Sequence, residues 1–271
     1  MFVVFSDIDG TLLDHATYSV EAARGALARL KERGIPLVLC SSKTRAEIEQ
    51  LQQMLGTSHP FISENGGAAF VPAGYFARPP EGARRAGAYE IVELGMPYEQ
   101  VVAALRRAAE KGGLRIVSFA DLSAEQVAGD TGLSLEDARL AKRREYDEPF
   151  RIEGPAEHVP RLVEAMASEG LRHTAGGRYH HASGRTDKGR AVALLSRCFA
   201  REHGEITTVG LGDGPNDVPL LRAVNIPIVI SNPASGRTGE VLRQVPGARA
   251  TSRPGPAGWH EAITGLLGPR P

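Results

Sequence analysis

Short, largely apolar runs alternating with amphipathic stretches dominate both ends of the chain. Phe2 to Phe5, Ile35 to Cys40, Ile206 to Leu211 and Ile226 to Ile230 are too short for helices and lack polar alternation, which predicts strands buried on both faces. Between them the period becomes helical. Val20, Ala23, Leu27 and Leu30 share one face, with Ser19 as a cap and Gly34 as a stop. Thr44 and Glu47 carry the capping-box spacing for a helix that presents Ile48, Leu51 and Leu55 and ends at Gly56. A third such helix starts at Asp187, runs through Ala191, Val192, Leu195 and Phe199, and stops at Gly204. Phe61 to Ser63, the turn Glu64-Asn65-Gly66-Gly67 and Ala68 to Val71 read as a hairpin.

From about Pro79 the pattern loosens. Strands are expected at Ile91 to Leu94, Leu114 to Ser118 and Phe150 to Ile152, with helices at Tyr98 to Ala109, Ser134 to Leu140 and Val159 to Ala167. The predicted fold class is α/β: a doubly wound, Rossmann-like parallel-sheet core made of residues 1–83 and 185–271, interrupted by an inserted α+β domain at 84–184. The tail from Arg253, rich in Pro and Gly, is expected to be loosely ordered at its end. A length of 271 residues suits two modest domains.

Charge narrows the partners. The 32 basic and 32 acidic residues balance, so no global field draws the chain to nucleic acid or to an anionic membrane, and any anion must be held locally. No apolar stretch approaches the roughly 20 residues of a membrane-spanning helix, and Met1 leads directly into an apolar strand, so a cytoplasmic protein is expected. Cys40 and Cys198 offer neither a disulfide framework nor metal-binding spacing. Only five of the basic residues are Lys, which singles out Lys43 and Lys188 in their Ser- and Gly-rich turns. Monomer and homodimer both remain open.

The candidate chemistry begins at Asp7-Ile8-Asp9-Gly10-Thr11, directly after the first strand, at the sheet edge where open α/β folds bind ligands. Two like charges about 5 Å apart repel by roughly 3 kcal/mol at intermediate dielectric, so the pair calls for a cation, expected to be Mg²⁺, or for a shared proton. One Asp can attack phosphorus as a carboxylate while the other exchanges protons with the leaving group and water. Asp-x-Asp-Gly also opens ordinary turns and calcium loops, but no acidic residue falls where a calcium loop needs its bidentate Glu, and a strand precedes the motif. Ser41 and Asp213/Asp217 follow other strands of the same parallel sheet, and Lys188 opens a neighbouring helix, so the four loops are expected to converge.

This set resembles the haloacid dehalogenase superfamily of phosphotransferases, through Asp7-Ile8-Asp9-Gly10-Thr11-Leu12, Ser41, Lys188 and Gly212-Asp213-Gly214-Pro215-Asn216-Asp217. The resemblance implies Asp7 as nucleophile and Asp9 as general acid and base. It implies Mg²⁺ held by Asp7, the Asp9 main-chain carbonyl and Asp213, with Asn216 and Asp217 supporting that loop. Ser41 would bind a phosphate oxygen and Lys188 would balance negative charge. The insert resembles the large α+β cap of the superfamily, which implies a small phosphorylated metabolite as substrate.

A narrower set, Ser41-Ser42-Lys43-Thr44, Glu64-Asn65-Gly66-Gly67, Tyr146-Asp147-Glu148-Pro149-Phe150 and Gly176-Gly177-Arg178-Tyr179-His180, resembles the mannosyl-3-phosphoglycerate phosphatase family. That likeness implies a phosphorylated sugar-glycerate substrate, whose carboxylate needs a cation and whose hydroxyls need polar partners. Candidate substrate contacts are Ser42, Lys43, Asn65, Gly66, Gly67, Arg144, Glu148, Arg178 and His180, with Lys142, Arg143 and His181 as further options; the His180-His181 pair can alternate across a strand. Another capped sugar phosphatase, a phosphohexomutase and a phosphosugar-binding sensor stand as alternatives, and release of inorganic phosphate separates a phosphatase from a mutase.

Overall fold

The computed structural model describes residues 1–154, 156–175 and 179–268. The apolar runs become the centre of a sheet. Strands β1 (Phe2–Ser6), β2 (Leu37–Cys40) and β3 (Phe61–Ser63) are followed by β4 (Ala68–Pro72), β5 (Arg84–Ala86) and β6 (Tyr89–Glu93), with helices α1 (Arg24–Glu32) and α2 (Arg45–Leu55) between the first three. The next elements are α3 (Tyr98–Gly112), β7 (Arg115–Ser118), α4 (Ala124–Thr131), α5 (Leu135–Ala141), β8 (Asp147–Glu153), α6 (Val159–Ser168), β9 (Arg172–Ala175) and β10 (His180–Ser183). The chain then returns through α7 (Lys188–His203), β11 (Thr207–Gly212), α8 (Val218–Arg222), β12 (Ile226–Ser231), α9 (Thr238–Gln244), β13 (Arg249–Pro254) and α10 (Gly255–Leu267).

Among the described residues the large sheet runs β13-β12-β11-β1-β2-β3-β4-β6-β5. It is parallel from β13 to β3, and β4, β6 and β5 add antiparallel edge strands. Alternation sends Val4 into one apolar layer with α1, α2 and α10, and Val3 and Phe5 into the other with α7, α8 and α9. The second sheet, β7-β8-β10-β9, is antiparallel. Its own core packs Phe150 and Ala182 against Val101 and Leu105 of α3 and Leu162 and Met166 of α6.

Local signals hold where the backbone demands them. Thr44 Oγ1 accepts from Glu47 N at 3.2 Å while Thr44 N donates to the Glu47 carboxylate at 2.8 Å, which starts α2, and Gly56 stops it at φ 61°. Residues 84–93, expected with the insert, pair with β4 in the large sheet. The end of the tail, residues 269–271, lies outside the described residues. Residues from Arg253 onward complete β13 and form α10, whose Trp259 is fully buried and donates through Nε1 to Ser6 Oγ at 3.0 Å. Pro256 sits in the first helical turn, where no N–H is needed, so composition that reads as loop begins a helix instead. No helix among the described residues is long and apolar enough to cross a membrane.

Because Trp259 fills the layer beneath β1 and tethers the residue before Asp7, Trp259→Ala is expected to cost about 3–5 kcal/mol of stability, measured by the denaturant midpoint.

Candidate active site

The carboxyl ends of β1, β2 and β11 and the start of α7 meet at one place. Asp7 is buried just past β1, and its Oδ1 accepts from Lys188 Nζ at 2.7 Å. The same ammonium donates to Asp217 Oδ1 at 2.6 Å. Asp217 Oδ2 accepts the amides of Asp213 and Gly214 at 3.1 and 3.0 Å, so this side chain ties the loop after β11 to Lys188. Asp213 accepts from Thr11 Oγ1 at 3.0 Å and from Asn232 Nδ2 at 2.6 Å. One oxygen each from Asp7, Asp213 and Asp217 lies within 4.8 Å of the others.

Gly10 makes this approach possible. Its φ is +76°, and a Cβ there would stand 2.8 Å from Asp213 Oδ2.

Three carboxylates face one ammonium. Burial first, then Asp217, pushes the Asp7 carboxyl well above the usual range, and the same two causes push Asp213 up to about 6. Burial alone would lower Lys188, but Asp217 and Asp7 outweigh it and keep the ammonium charged. The cluster therefore carries surplus negative charge in an all-oxygen donor set, which fits a hard divalent cation.

Asp9 stands apart from the cluster. Its Oδ2 pairs with Lys43 Nζ at 3.1 Å, and Lys43 also reaches Glu47 Oε1 at 3.4 Å. The other oxygen, Asp9 Oδ1, is buried without a hydrogen-bond partner among the described residues. Ser41 is buried at the end of β2, where its hydroxyl accepts the Lys43 amide at 3.2 Å.

A cavity of about 530 Å³ opens above these groups, lined on the core side by Asp7, Asp9, Ser42, Lys43, Asp213 and Asn216. Phe119, Arg144, Pro149 and His181 of the insert close its other side. Arg144 donates to the Ser42 carbonyl at 2.8 Å and so joins the insert to the loop after β2.

The remaining sequence candidates fall elsewhere. Glu148 and His180 lie on the β8 and β10 faces turned away from the cavity. Glu148 accepts from Tyr98 Oη and Ala120 N, both at 2.7 Å, and His180 stacks on Phe150 and contacts His173 at 2.8 Å. Their neighbours Asp147 and His181 face the cavity side instead, because successive side chains of a strand alternate. Asn65, Gly66 and Gly67 build the seam between core and insert: Asn65 Nδ2 donates to Asp147 at 3.1 Å, and Gly66 O accepts from Thr186 Oγ1 at 2.9 Å. A Cβ on Gly66, at φ +93°, would lie 2.2 Å from the Asp187 carbonyl oxygen, and one on Gly67 would lie 2.4 Å from Tyr146 Cβ. Arg178 lies outside the described residues.

Sequence reasoning passed over Glu64. It is fully buried at φ +49°, and its carboxylate accepts the amides of Glu145, Tyr146 and Asp147, the last two at 2.8 Å. It entered only as part of an Asn-Gly turn and of the narrower family motif, and neither carries a signal of a long-range clamp. Asn232, which holds Asp213, likewise followed a strand without a motif of its own.

The profile of the haloacid dehalogenase-like hydrolase family matches residues 4–74. A glucosyl-3-phosphoglycerate/mannosyl-3-phosphoglycerate phosphatase of Methanococcoides burtonii is 43% identical over 267 residues, spanning 98% of this chain and 97% of its own. A protein of the same name from Persephonella marina is 40% identical over 269 residues, with 98% and 97% coverage. Among solved structures, one from Thermoplasma acidophilum superposes with a TM-score of 0.68 at 18% identity, over 98% of both chains. A haloalkanoate-superfamily phosphatase from Bacteroides thetaiotaomicron gives 0.65 at 18% identity, over 98% of this chain and 95% of that one.

Burial, partly opposed by Arg144, pushes Glu64 up to about 7. A carboxyl whose folded pKa exceeds its unfolded value contributes stability that is complete below about pH 4.5 and lost as pH rises through about 7. The melting temperature of the native protein minus that of Glu64→Gln is therefore expected to fall, on the order of 5 °C, between pH 5 and pH 8.5.

Proposed function

The chain belongs to the haloacid dehalogenase-like hydrolases, in the glucosyl-3-phosphoglycerate/mannosyl-3-phosphoglycerate phosphatase family, and from that membership we propose that it hydrolyses mannosyl-3-phosphoglycerate, and also glucosyl-3-phosphoglycerate, to the sugar-glycerate and inorganic phosphate. It is a phosphoric monoester hydrolase. The observation that carries the site assignment is the Asp7-Lys188-Asp217 bridge beside Asp213, on the floor of a cavity walled by the insert.

In this reading Lys188 fixes Asp7 through Oδ1 and leaves Oδ2 to attack phosphorus. The bond to the glycerate oxygen breaks, and Asp9 delivers a proton to that oxygen. Asp9 then takes a proton from the water that cleaves the aspartyl-phosphate, so phosphate leaves and both carboxyls are restored. The ammonium of Lys188 offsets the charge of an anionic nucleophile meeting an anionic substrate, and the Ser41 hydroxyl donates to a phosphoryl oxygen. Asp7, Asp213 and the Asp9 main-chain carbonyl would hold Mg²⁺, with Asn216 and Asp217 supporting the loop. When bound, the ion supplies positive charge to the phosphoryl oxygens. The inserted residues between β6 and α7 act as the cap, and their closure keeps water from the first transfer. One hydroxyl inversion changes a hydrogen bond of about 1 kcal/mol, which lets a single cavity take both sugars.

Phosphate release from the two sugar-glycerate phosphates is expected to exceed that from mannose 6-phosphate and 3-phosphoglycerate at matched concentration; no preference would overturn the substrate assignment. Asp7→Asn is expected to abolish turnover with the fold intact by circular dichroism, and Asp9→Asn to remove most of it. A chelator is expected to stop release, and Mg²⁺ to restore it.

A further inference from the structure

Asp147 is a fully buried carboxylate that the phosphoryl chemistry does not use. It opens β8, and Pro149 two residues along lies opposite His181 on β10, so Asp147 and His181 share the sheet face turned to the cavity. The His181 ring accordingly meets Asp147 Oδ1 through Nδ1 at 2.7 Å. Asn65 holds the other Asp147 oxygen at 3.1 Å, and Arg144 Nη1 stands 3.5 Å from the first. Burial alone would raise Asp147, but His181 and then Arg144 outweigh it and keep the carboxyl below its usual range. A carboxylate at that distance requires the proton on Nδ1, so Nε2 is the ring nitrogen left to meet a ligand. His181 lines the same cavity as Asp7, from the opposite wall.

We propose that His181 is a specificity-determining residue, whose Nε2 hydrogen-bonds a hydroxyl of the sugar-glycerate leaving group, and that Asp147 is its positioning residue. The juxtaposition of a buried Asp147-His181 pair with a cavity whose floor carries the phosphoryl site places the imidazole where the non-phosphate half of a substrate must lie. Arg144 on the same wall supplies the cation for the glycerate carboxylate. Asn65 ties the pair to the core hairpin, so the reading group is held in register with Asp7 only when core and insert are joined. This inference rests on the substrate proposed above.

Steady-state kinetics with mannosyl-3-phosphoglycerate, glucosyl-3-phosphoglycerate and p-nitrophenyl phosphate test it, the last lacking both sugar and glycerate. For His181→Ala the ratio of kcat/KM on either sugar-glycerate phosphate to that on p-nitrophenyl phosphate is expected to fall about tenfold, with the change mainly in KM. His181→Gln, which keeps a hydrogen-bonding group near Nε2, is expected to recover part of that ratio, and Asp147→Asn to lose a smaller part of it. An unchanged ratio for His181→Ala, with the native enzyme active on the sugar-glycerates, would overturn the subsite alone. A native enzyme that hydrolyses p-nitrophenyl phosphate and neither sugar-glycerate would overturn the substrate reading and the subsite with it.

Discussion

The Lys188 ammonium, buried between Asp7 and Asp217, is the interaction around which the site is organised. A single positive charge inside a group of three buried carboxylates has to be delivered to within hydrogen-bond distance of two of them, from an element distant in sequence. The parallel order β2-β1-β11 achieves this. It brings the ends of β1 and β11 side by side, and α7 starts behind them. One ammonium does not neutralise three carboxylates, and the surplus is what makes the cluster a place for a hard cation and for an anionic substrate that needs one. Removing Lys188 would leave the carboxylates facing one another in low dielectric, so stability and chemistry depend on the same contact.

The second constraint is the seam where the chain leaves and re-enters the core. Glu64 turns its carboxylate onto three successive amides at the start of β8, which fixes the strand that carries Asp147. Close approach at Gly66 and Gly67 brings Asp187 and Tyr146 against the hairpin. Arg45 meets Glu145 at 2.8 Å, Thr44 donates to the Leu140 carbonyl at 3.0 Å, and Arg144 holds the Ser42 carbonyl. The loop after β2 thus belongs mechanically to both halves, and the wall that carries His181 is set relative to the floor that carries Asp7. These contacts are polar and mostly single, a kind of joint that is consistent with the cap proposed above.

Much of this was legible along the chain. Apolar runs of four to six residues announce the central strands because a strand covered on both faces is mostly apolar, and the polar loops that follow them all lie at one edge. Asp7, Asp9, Ser41, Lys188, Asp213 and Asp217 could therefore be gathered before any coordinates. The insert was less legible, since its strands are partly exposed and its helices α4 and α5 short. There the alternation of a strand was plain while its phase was not: His180 and Glu148 turn to the helices, His181 and Asp147 to the cavity. A one-residue choice of phase exchanges every side chain on the strand, and local sequence does not contain it.

By itself, then, the sequence determined the doubly wound core and the loops that bring charged residues to one sheet edge, because each follows from hydrophobic period and from chemistry within a few residues. The tertiary structure alone decided which face of β8 and β10 looks into the cavity, that Glu64 clamps the seam, and that a Pro- and Gly-rich tail becomes α10 with Trp259 beneath β1. Those outcomes depend on partners 80 to 250 residues away along the chain, whose contribution is felt only when packing brings them into contact.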